Sequence, residues 1–277
     1  MRTETRWTEA SLTVDLNGPI ATVTLTGPGK GNRMGPELWA DLPAVFARLD
    51  ATEQVRAIVL RGSGDHFSYG LDLLSMAPEL GPALQPGLAT ERLALLALIE
   101  RLQGATRAVA ACRAPVIAAV HGWCIGGGID LIAACDTRMC AANARFSVRE
   151  VKLAIVADLG SLQWLPHLIG QGWTRRLAMS GEDIDAPTAA RIGLVEEVHP
   201  DPESLFAAAH ALAAQIAQNP PRVVAGVKRV LNHGLGRTPD EGFQHVALWN
   251  AATLPSEDLM EAVGAFAERR PPVFKGA

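Results

Sequence analysis

The run APVIAAVHGWCIGGGIDLIAACD, residues 114–136, constrains the fold of this chain more than any other stretch. Its first seven residues are apolar, with Val116, Ile117 and Val120 β-branched, which is enough for one buried strand. Gly126, Gly127 and Gly128 then break the pattern and permit conformations and close approaches that a Cβ forbids. Apolar residues resume over 127–134 as a helix start, with Asp130 in the first turn, where negative charge is favoured. Free N–H groups at such a helix start are a ready site for negative charge on an oxygen. Two more carboxylates, Glu150 and Asp158, follow in an otherwise apolar region. A polarising N–H site with acids near it in sequence is the outline of an acyl-group active site.

The flanking chain builds a layered scaffold around that run. Residues 11–16 and 20–25 alternate as strands, and Asn17-Gly18 supplies a hairpin turn between them. The loop GPGKGNRMGPEL ends where Pro36 suits the first turn of a helix. That helix carries Leu38, Leu42, Val45, Phe46 and Leu49 on one face, and residues 55–61 read as a buried strand. Strand, strand, helix, strand is the opening of an α/β or α+β layer fold. The glycine-rich loop RGSGDHFSYGLDL has neither Walker nor GxGxxG spacing, so it is no nucleotide-phosphate cradle. Residues 76–89, with three prolines, read as a loop or short helix at the rim, and residues 90–111 as a long helix. Glycine-containing loops thus follow the strands at 55–61 and at 114–120, which suggests two strand–loop–helix units.

Beyond the triple glycine the pattern gives a strand at 137–141, helices at 159–169 and 173–180, and a strand at 195–198. Helices follow at 205–218, 221–232, 243–252 and 256–268. No linker rich in Gly, Pro or Ser separates these parts. Residues 1–200 are therefore expected to form the core that holds the site, and residues 201–277 a helical subdomain that is not independent.

The 277 residues allow one large domain, and 48% hydrophobic against 19% charged content supports a sizeable core. The net charge of −4 gives no broad field for nucleic acid or an anionic membrane. Cys112, Cys124, Cys135 and Cys140 form no CxxC pair, which argues against zinc and for small buried hydrophobes in a reducing compartment. The start MRTETRWTEA is no signal peptide, and FKGA is not a peroxisomal tripeptide. No run approaches the roughly 18 apolar residues of a membrane span. A cytoplasmic location is expected.

With these motifs in order, the chain resembles the crotonase superfamily of enoyl-CoA hydratases and isomerases from about residue 10 onward. The resemblance rests on the 114–136 run, the FSYGLD loop, LGSLQWLPHLIG, ARIGLVEEV and AFAERRPPVF. It implies an α/β, crotonase-like spiral of repeated strand–strand–helix units whose C-terminal helices mediate trimers, often paired into hexamers. Within the superfamily the sequence is most similar to the 3,5- to 2,4-dienoyl-CoA isomerases. Asp130, Glu150 in SVREV and Asp158 in IVADLGSLQ match the three acids of that subgroup, and NRMGPELW is also similar. Hydratases usually carry Glu at the position of Asp130 and glycine near that of Asp158.

The resemblance assigns two backbone donors to the thioester oxygen, Leu71 N–H and Gly127 N–H. Each such donor is worth on the order of 3 kcal/mol in a dry pocket. It implies Glu150 as base at the α-carbon, Asp158 as acid at the distal carbon, and Asp130 as the charge that tunes them. Two acids are needed because one carboxylate cannot easily reach both carbons. Ser68, Gly70, Asp72, Leu73 and Gly128 are expected to line the substrate site. The substrate would be an acyl-CoA thioester, with coenzyme A part of it, no separate cofactor and no metal.

Each assignment has a plainer rival. Leu71 and Gly127 could sit in ordinary tight turns, and Asp130 could be a favourable first-turn charge. Glu150 could pair with Arg149 or Lys152, and Asp158 could cap the helix that follows it. Asp72 reads as a residue that holds its loop, and Asp136 as a structural cap or pair. His66 and His121 lack partner spacing for a nucleophile or metal, and Ser68 and Ser161 lack the GxSxG context. Arg269, Arg270 and Lys275 suit either the CoA phosphates or a solvated helix end. An enoyl-CoA hydratase, a non-catalytic acyl-CoA binder and a thioester hydrolase are the competing functions.

Overall fold

A computed structural model describes residues 5–276 except 84 and 86, so Pro86 of the proline-containing rim segment lies outside the described residues, as do the first four residues and Ala277. The hairpin forms where the alternation predicts it. Strands β2 (Leu12–Asn17) and β3 (Ile20–Leu25) pair antiparallel from Asn17↔Ile20 to Leu12↔Leu25, and the turn is closed by Gly18 at φ +57°. A short β1 (Arg6–Thr8), too brief to show a period in sequence, adds to the outer edge of β2. Helix α1 (Pro36–Asp50) then crosses over, buries the five apolar residues of its predicted face, and returns the chain to β4 (Ala57–Gly62), parallel to β3.

The rim segment is helical over α2 (Leu73–Ala83), despite Pro78 and Pro82. Helix α3 (Ala89–Ala111) leads into β5 (Val116–Val120), parallel to β4. After β6 (Trp123–Ile125), α4 (Gly127–Ala133) connects to β7 (Thr137–Ala141), parallel to β5. Strand β8 (Arg145–Ser147) is followed by helices α5 (Ser161–Leu168) and α6 (Gly170–Ser180). Strand β9 (Ile184–Asp185), helix α7 (Ala186–Ile192) and strand β10 (Glu197–His199) complete the sheets. The main sheet runs β1-β2-β3-β4-β5-β7-β10, and a small second sheet runs β6-β8-β9.

A period of two divides the central strands between two cores. Ile58, Leu60, Val116, Ala118 and Val120 face one side with α1 and α3. Ala57, Val59, Ile117, Ala119, Met139 and Ala141 face the other, against Leu205, Ala209 and Ala213 of α8 (Pro202–Ala217). Helices α9 (Pro221–Gly234), α10 (Pro239–Thr253) and α11 (Glu257–Glu268) follow. Among the described residues no helix is long and apolar enough to cross a membrane. All four cysteines are free and buried, and Asp136 binds Val116 N at 2.8 Å and Lys228 Nζ at 2.7 Å in a structural pair.

The parallel strands all end on the same side. The loops that leave β4 and β5 there carry the residues of interest.

Candidate active site

The two loops meet through backbone pairing. Phe67 N donates to His121 O at 2.8 Å, Ser68 N to Trp123 O at 3.0 Å, and Ile125 N to Ser68 O at 3.0 Å. This pairing brings Gly70 (φ +75°) against the glycine turn. A Cβ on Gly70 would lie 2.6 Å from Ile125 O and 3.1 Å from Gly127 N, so only glycine permits the approach. Gly127 opens α4, and its N–H is one of the groups a helix start leaves unpaired. Among the described residues, neither Leu71 N–H nor Gly127 N–H donates to a protein acceptor. Two unused donors held side by side by main chain are suited to a negatively charged oxygen.

Asp130 sits in α4 just after this turn, Glu150 packs against Gly126, and the charge of Asp158 reaches both. Glu150 begins a 3₁₀ turn (Glu150–Leu153) whose tight winding points it back at the glycines. A Cβ on Gly126 would sit 3.2 Å from Glu150 Oε1, while Oε2 is buried without any partner. The neighbouring Arg149 is committed elsewhere, to Asp183 at 2.6 and 2.7 Å, and among the described residues no salt bridge involves Glu150. Burial pushes the Glu150 carboxyl up, and the charge of Asp158 adds to the rise.

Asp130 is 1% exposed and accepts the Ser161 N–H at 2.6 Å. Burial pushes its carboxyl from the ordinary 3.8 up to about 7, Glu150 adds to the rise, and the Ser161 bond offsets part of it. Asp158 is pushed up by burial as well. The helix that follows Asp158 starts at Ser161 behind Gly160 (φ +136°), and its side-chain cap is the distant Asp130 rather than Asp158. Asp158 is held instead by main chain: Gln103 Nε2 donates to Asp158 O at 2.8 Å, and Thr106 Oγ1 to Leu159 O at 2.6 Å. Three like charges in mutual reach titrate as a set.

The remaining expected residues surround this centre in different ways. Ser68 is fully buried under the loop, donating to Asn32 O at 2.9 Å and accepting from Gly70 N at 3.0 Å. Asp72 accepts from Leu74 N at 3.2 Å and so ties the start of α2, where Leu73 is partly exposed. Gly128 lets α4 approach: its Cβ would lie 3.2 Å from Cys124 Sγ and 3.3 Å from Ser68 O. His121 Nε2 bonds Gly64 O at 2.8 Å and His66 Nδ1 accepts from Trp123 N at 3.2 Å, so both brace the loops. Arg270 is paired with Glu261 and Glu268, and Asp258 accepts the Lys275 N–H. A cavity of about 860 Å³ beside Asp50, Arg113 and Lys228 lies at the opposite, N-terminal ends of the strands and contains none of the acids.

Residues 15–277 match the family described as enoyl-CoA hydratase/isomerase. The chain belongs to that family. It is 41% identical over 256 residues to the mitochondrial Delta(3,5)-Delta(2,4)-dienoyl-CoA isomerase of Dictyostelium discoideum, covering 92% of this chain and 87% of that one. The peroxisomal Delta(3,5)-Delta(2,4)-dienoyl-CoA isomerase of Arabidopsis thaliana is 38% identical, with 89% of each chain covered. Among solved structures, a putative enoyl-CoA hydratase from Streptomyces coelicolor A3(2) superposes with a TM-score of 0.88 at 32% identity, over 100% of this chain and 98% of that chain. The fold is therefore the α/β crotonase fold of the hydratase/isomerase family, whose members act on acyl-CoA.

Sequence reasoning missed Asn32, Gln103, Thr106 and the capping of Ser161 by Asp130. The one local signal was Asn32 among glycines, since asparagine tolerates its left-handed φ of +46° better than most residues.

Proposed function

We propose that the chain isomerises 3,5-dienoyl-CoA thioesters to 2,4-dienoyl-CoA, a reaction of fatty-acid β-oxidation. The observation that carries this reading is the third acid. Asp158 lies within electrostatic reach of Glu150, is pushed up by burial, and caps no helix. The identity to two such isomerases supports it.

In this reading the Leu71 and Gly127 N–H groups hold the thioester oxygen and stabilise the charge that develops there. Glu150 removes the proton from C2. The electrons of that C–H bond form C2=C3, the C3=C4 pair moves to C4=C5, and the C5=C6 pair takes a proton at C6 from Asp158. Glu150 ends protonated and Asp158 ionised, so one proton returns between them before the next turnover and none is consumed. Asp130, whose carboxyl is raised by burial and by the charges of Glu150 and Asp158, favours a shared proton over three ionised carboxylates. Ser68, Gly70, Asp72, Leu73 and Gly128 form and line the pocket, with Ser68 and Gly128 acting from beneath it.

The rise of conjugated 2,4-diene absorbance from a 3,5-dienoyl-CoA tests the proposal. No rise, together with water addition to a 2-enoyl-CoA, would make the protein a hydratase that places water with Asp130 and Glu150. Binding without turnover would make it an acyl-CoA binder, and release of free CoA thiol a hydrolase. A homotrimer or homohexamer fits the exposed Val227, Leu231, Phe243, Leu248 and Phe266 of α9–α11. The four unpaired cysteines support a reducing compartment such as the cytoplasm. Residues 1–200 would then carry the chemistry and 201–277 the assembly contacts.

A further inference from the structure

The four consecutive N–H groups of residues 69–72 are not used alike. Tyr69 N donates to Gly31 O at 2.7 Å, Gly70 N to Ser68 Oγ at 3.0 Å, and Asp72 N to Met34 O at 3.0 Å. Only Leu71 N is left over. The strip 31–34 fixes two of the other three directly and Gly70 N through Ser68, whose hydroxyl is bound to Asn32 O, so Asn32 is its centre.

Asn32 is buried and left-handed, and every polar atom of its side chain is spent on the loop that leaves β4. Its Nδ2 donates to Ser63 O at 2.9 Å, His66 O at 2.8 Å and Phe67 O at 3.1 Å. Its Oδ1 accepts from Ser63 Oγ at 2.7 Å. Its own carbonyl accepts the Ser68 hydroxyl, whose oxygen in turn accepts Gly70 N–H. Gly70 is thereby held on both sides: its N–H lies at the end of a chain Asn32 O, Ser68 Oγ, Gly70 N, and its carbonyl, in the same peptide as Leu71 N–H, accepts the Met34 N–H at 2.8 Å.

We infer that Asn32 is a positioning residue for the Leu71 oxyanion donor, acting through Ser68 on the orientation of the Gly70–Leu71 segment. The inference rests on the acyl-CoA reading above. An oxyanion donor works only if it is aimed at the developing charge, and a displacement of about 1 Å can cost roughly 100-fold in rate. The side-chain amide shares its two N–H donors among three carbonyls and accepts from one hydroxyl, which no apolar or purely accepting residue of its size can do.

The test uses the full chain with Asn32→Asp, which keeps the shape and removes the donors, and Ser68→Ala, which cuts only the relay. Circular dichroism and thermal melts establish folding. A bound 2,4-dienoyl-CoA reports carbonyl polarisation, because hydrogen bonds to the thioester oxygen shift its absorbance to the red. We expect a reduced red shift in both variants and a kcat lower by roughly 10- to 100-fold, with KM within about threefold. If Asn32→Asp does not fold, Ser68→Ala carries the test. Folded variants with the wild-type red shift and kcat within twofold overturn the inference and leave the acyl-CoA reading standing. A wild-type protein that neither shifts the diene nor turns over 3,5-dienoyl-CoA overturns both.

Discussion

Asp130→Asn separates the charge of the most buried acid from its hydrogen bond. The Asn Oδ1 can still accept the Ser161 N–H that the carboxylate accepts at 2.6 Å, so α5 keeps its cap. What disappears is a group whose carboxyl is pushed from 3.8 to about 7 by burial first and by Glu150 second. A raised carboxyl means that the folded protein holds a proton that the unfolded chain releases. The stabilisation is complete below the unfolded value of 3.8 and is lost as pH rises to and through about 7. At about 1.4 kcal/mol per pH unit, the full loss approaches about 4 kcal/mol, and the part between pH 5 and pH 8 is about 3 kcal/mol. Asp130 is 1% exposed, so solvent screening takes little from this. The asparagine variant has no such dependence at this position.

The gap in stability, variant minus wild type, should therefore widen by about 3 kcal/mol from pH 5 to pH 8. At roughly 2 °C per kcal/mol for a chain of this size, that is on the order of 6 °C in Tm. Melts and urea titrations of both proteins across this range, at fixed ionic strength and protein concentration, measure it. A gap that stays constant within about 1 °C would refute the reasoning, because the carboxylate would then be ionised at an ordinary pH in the folded state.

Asp158→Asn should lower isomerase turnover by roughly 100-fold or more while acyl-CoA still binds, and near-normal kcat would remove Asp158 from the chemistry. Gly70→Ala forces a Cβ to within 2.6 Å of Ile125 O at a φ of +75°, so kcat should fall by at least about 100-fold; activity within threefold of wild type contradicts the loop contact. Lys228→Met leaves Asp136 without its partner at 2.7 Å and should cost about 3 kcal/mol, read as a lower Tm with unchanged kcat. A Tm drop under about 1 °C would show the pair to be dispensable.

Local pattern was enough for the elements whose neighbours are in sequence. The strands Ile20–Leu25 and Thr137–Ala141 form with the bounds that alternation and apolar content indicate, and α1 starts at Pro36 as its turn chemistry requires. The glycine turn was legible because three glycines between a strand and a helix leave few alternatives. The second sheet was not. Strands β6, β8 and β9 have two or three residues each, exist only through one another, and have no period to read. The prolines of residues 76–89 left a loop or a short helix open, and the short helix forms over Leu73–Ala83, starting three residues earlier, with Asp72 accepting from Leu74 N at its start. The partnerships of the site span 31 residues from Asp130 to Ser161 and 36 from Asn32 to Ser68, and one sequence does not print such pairings.

That division has a physical cause that bears on function. The donors and the acids are placed by opposite means. Leu71 and Gly127 N–H are left over where main chain pairs the groups around them, so their side chains hardly matter and only glycines betray them. The acids are placed by burial without cations: Arg149, the nearest basic neighbour of Glu150, is drawn off by Asp183. Three carboxylates raised by burial, with no salt bridge among the described residues, are stable only if they keep protons. A proton held near neutrality beside an unpartnered carboxylate is what a reaction that takes one proton and gives back another requires. On the isomerase proposal the same desolvation that would destabilise the fold at high pH supplies the acid and the base, and the pH dependence of stability and of turnover should follow the same set of groups.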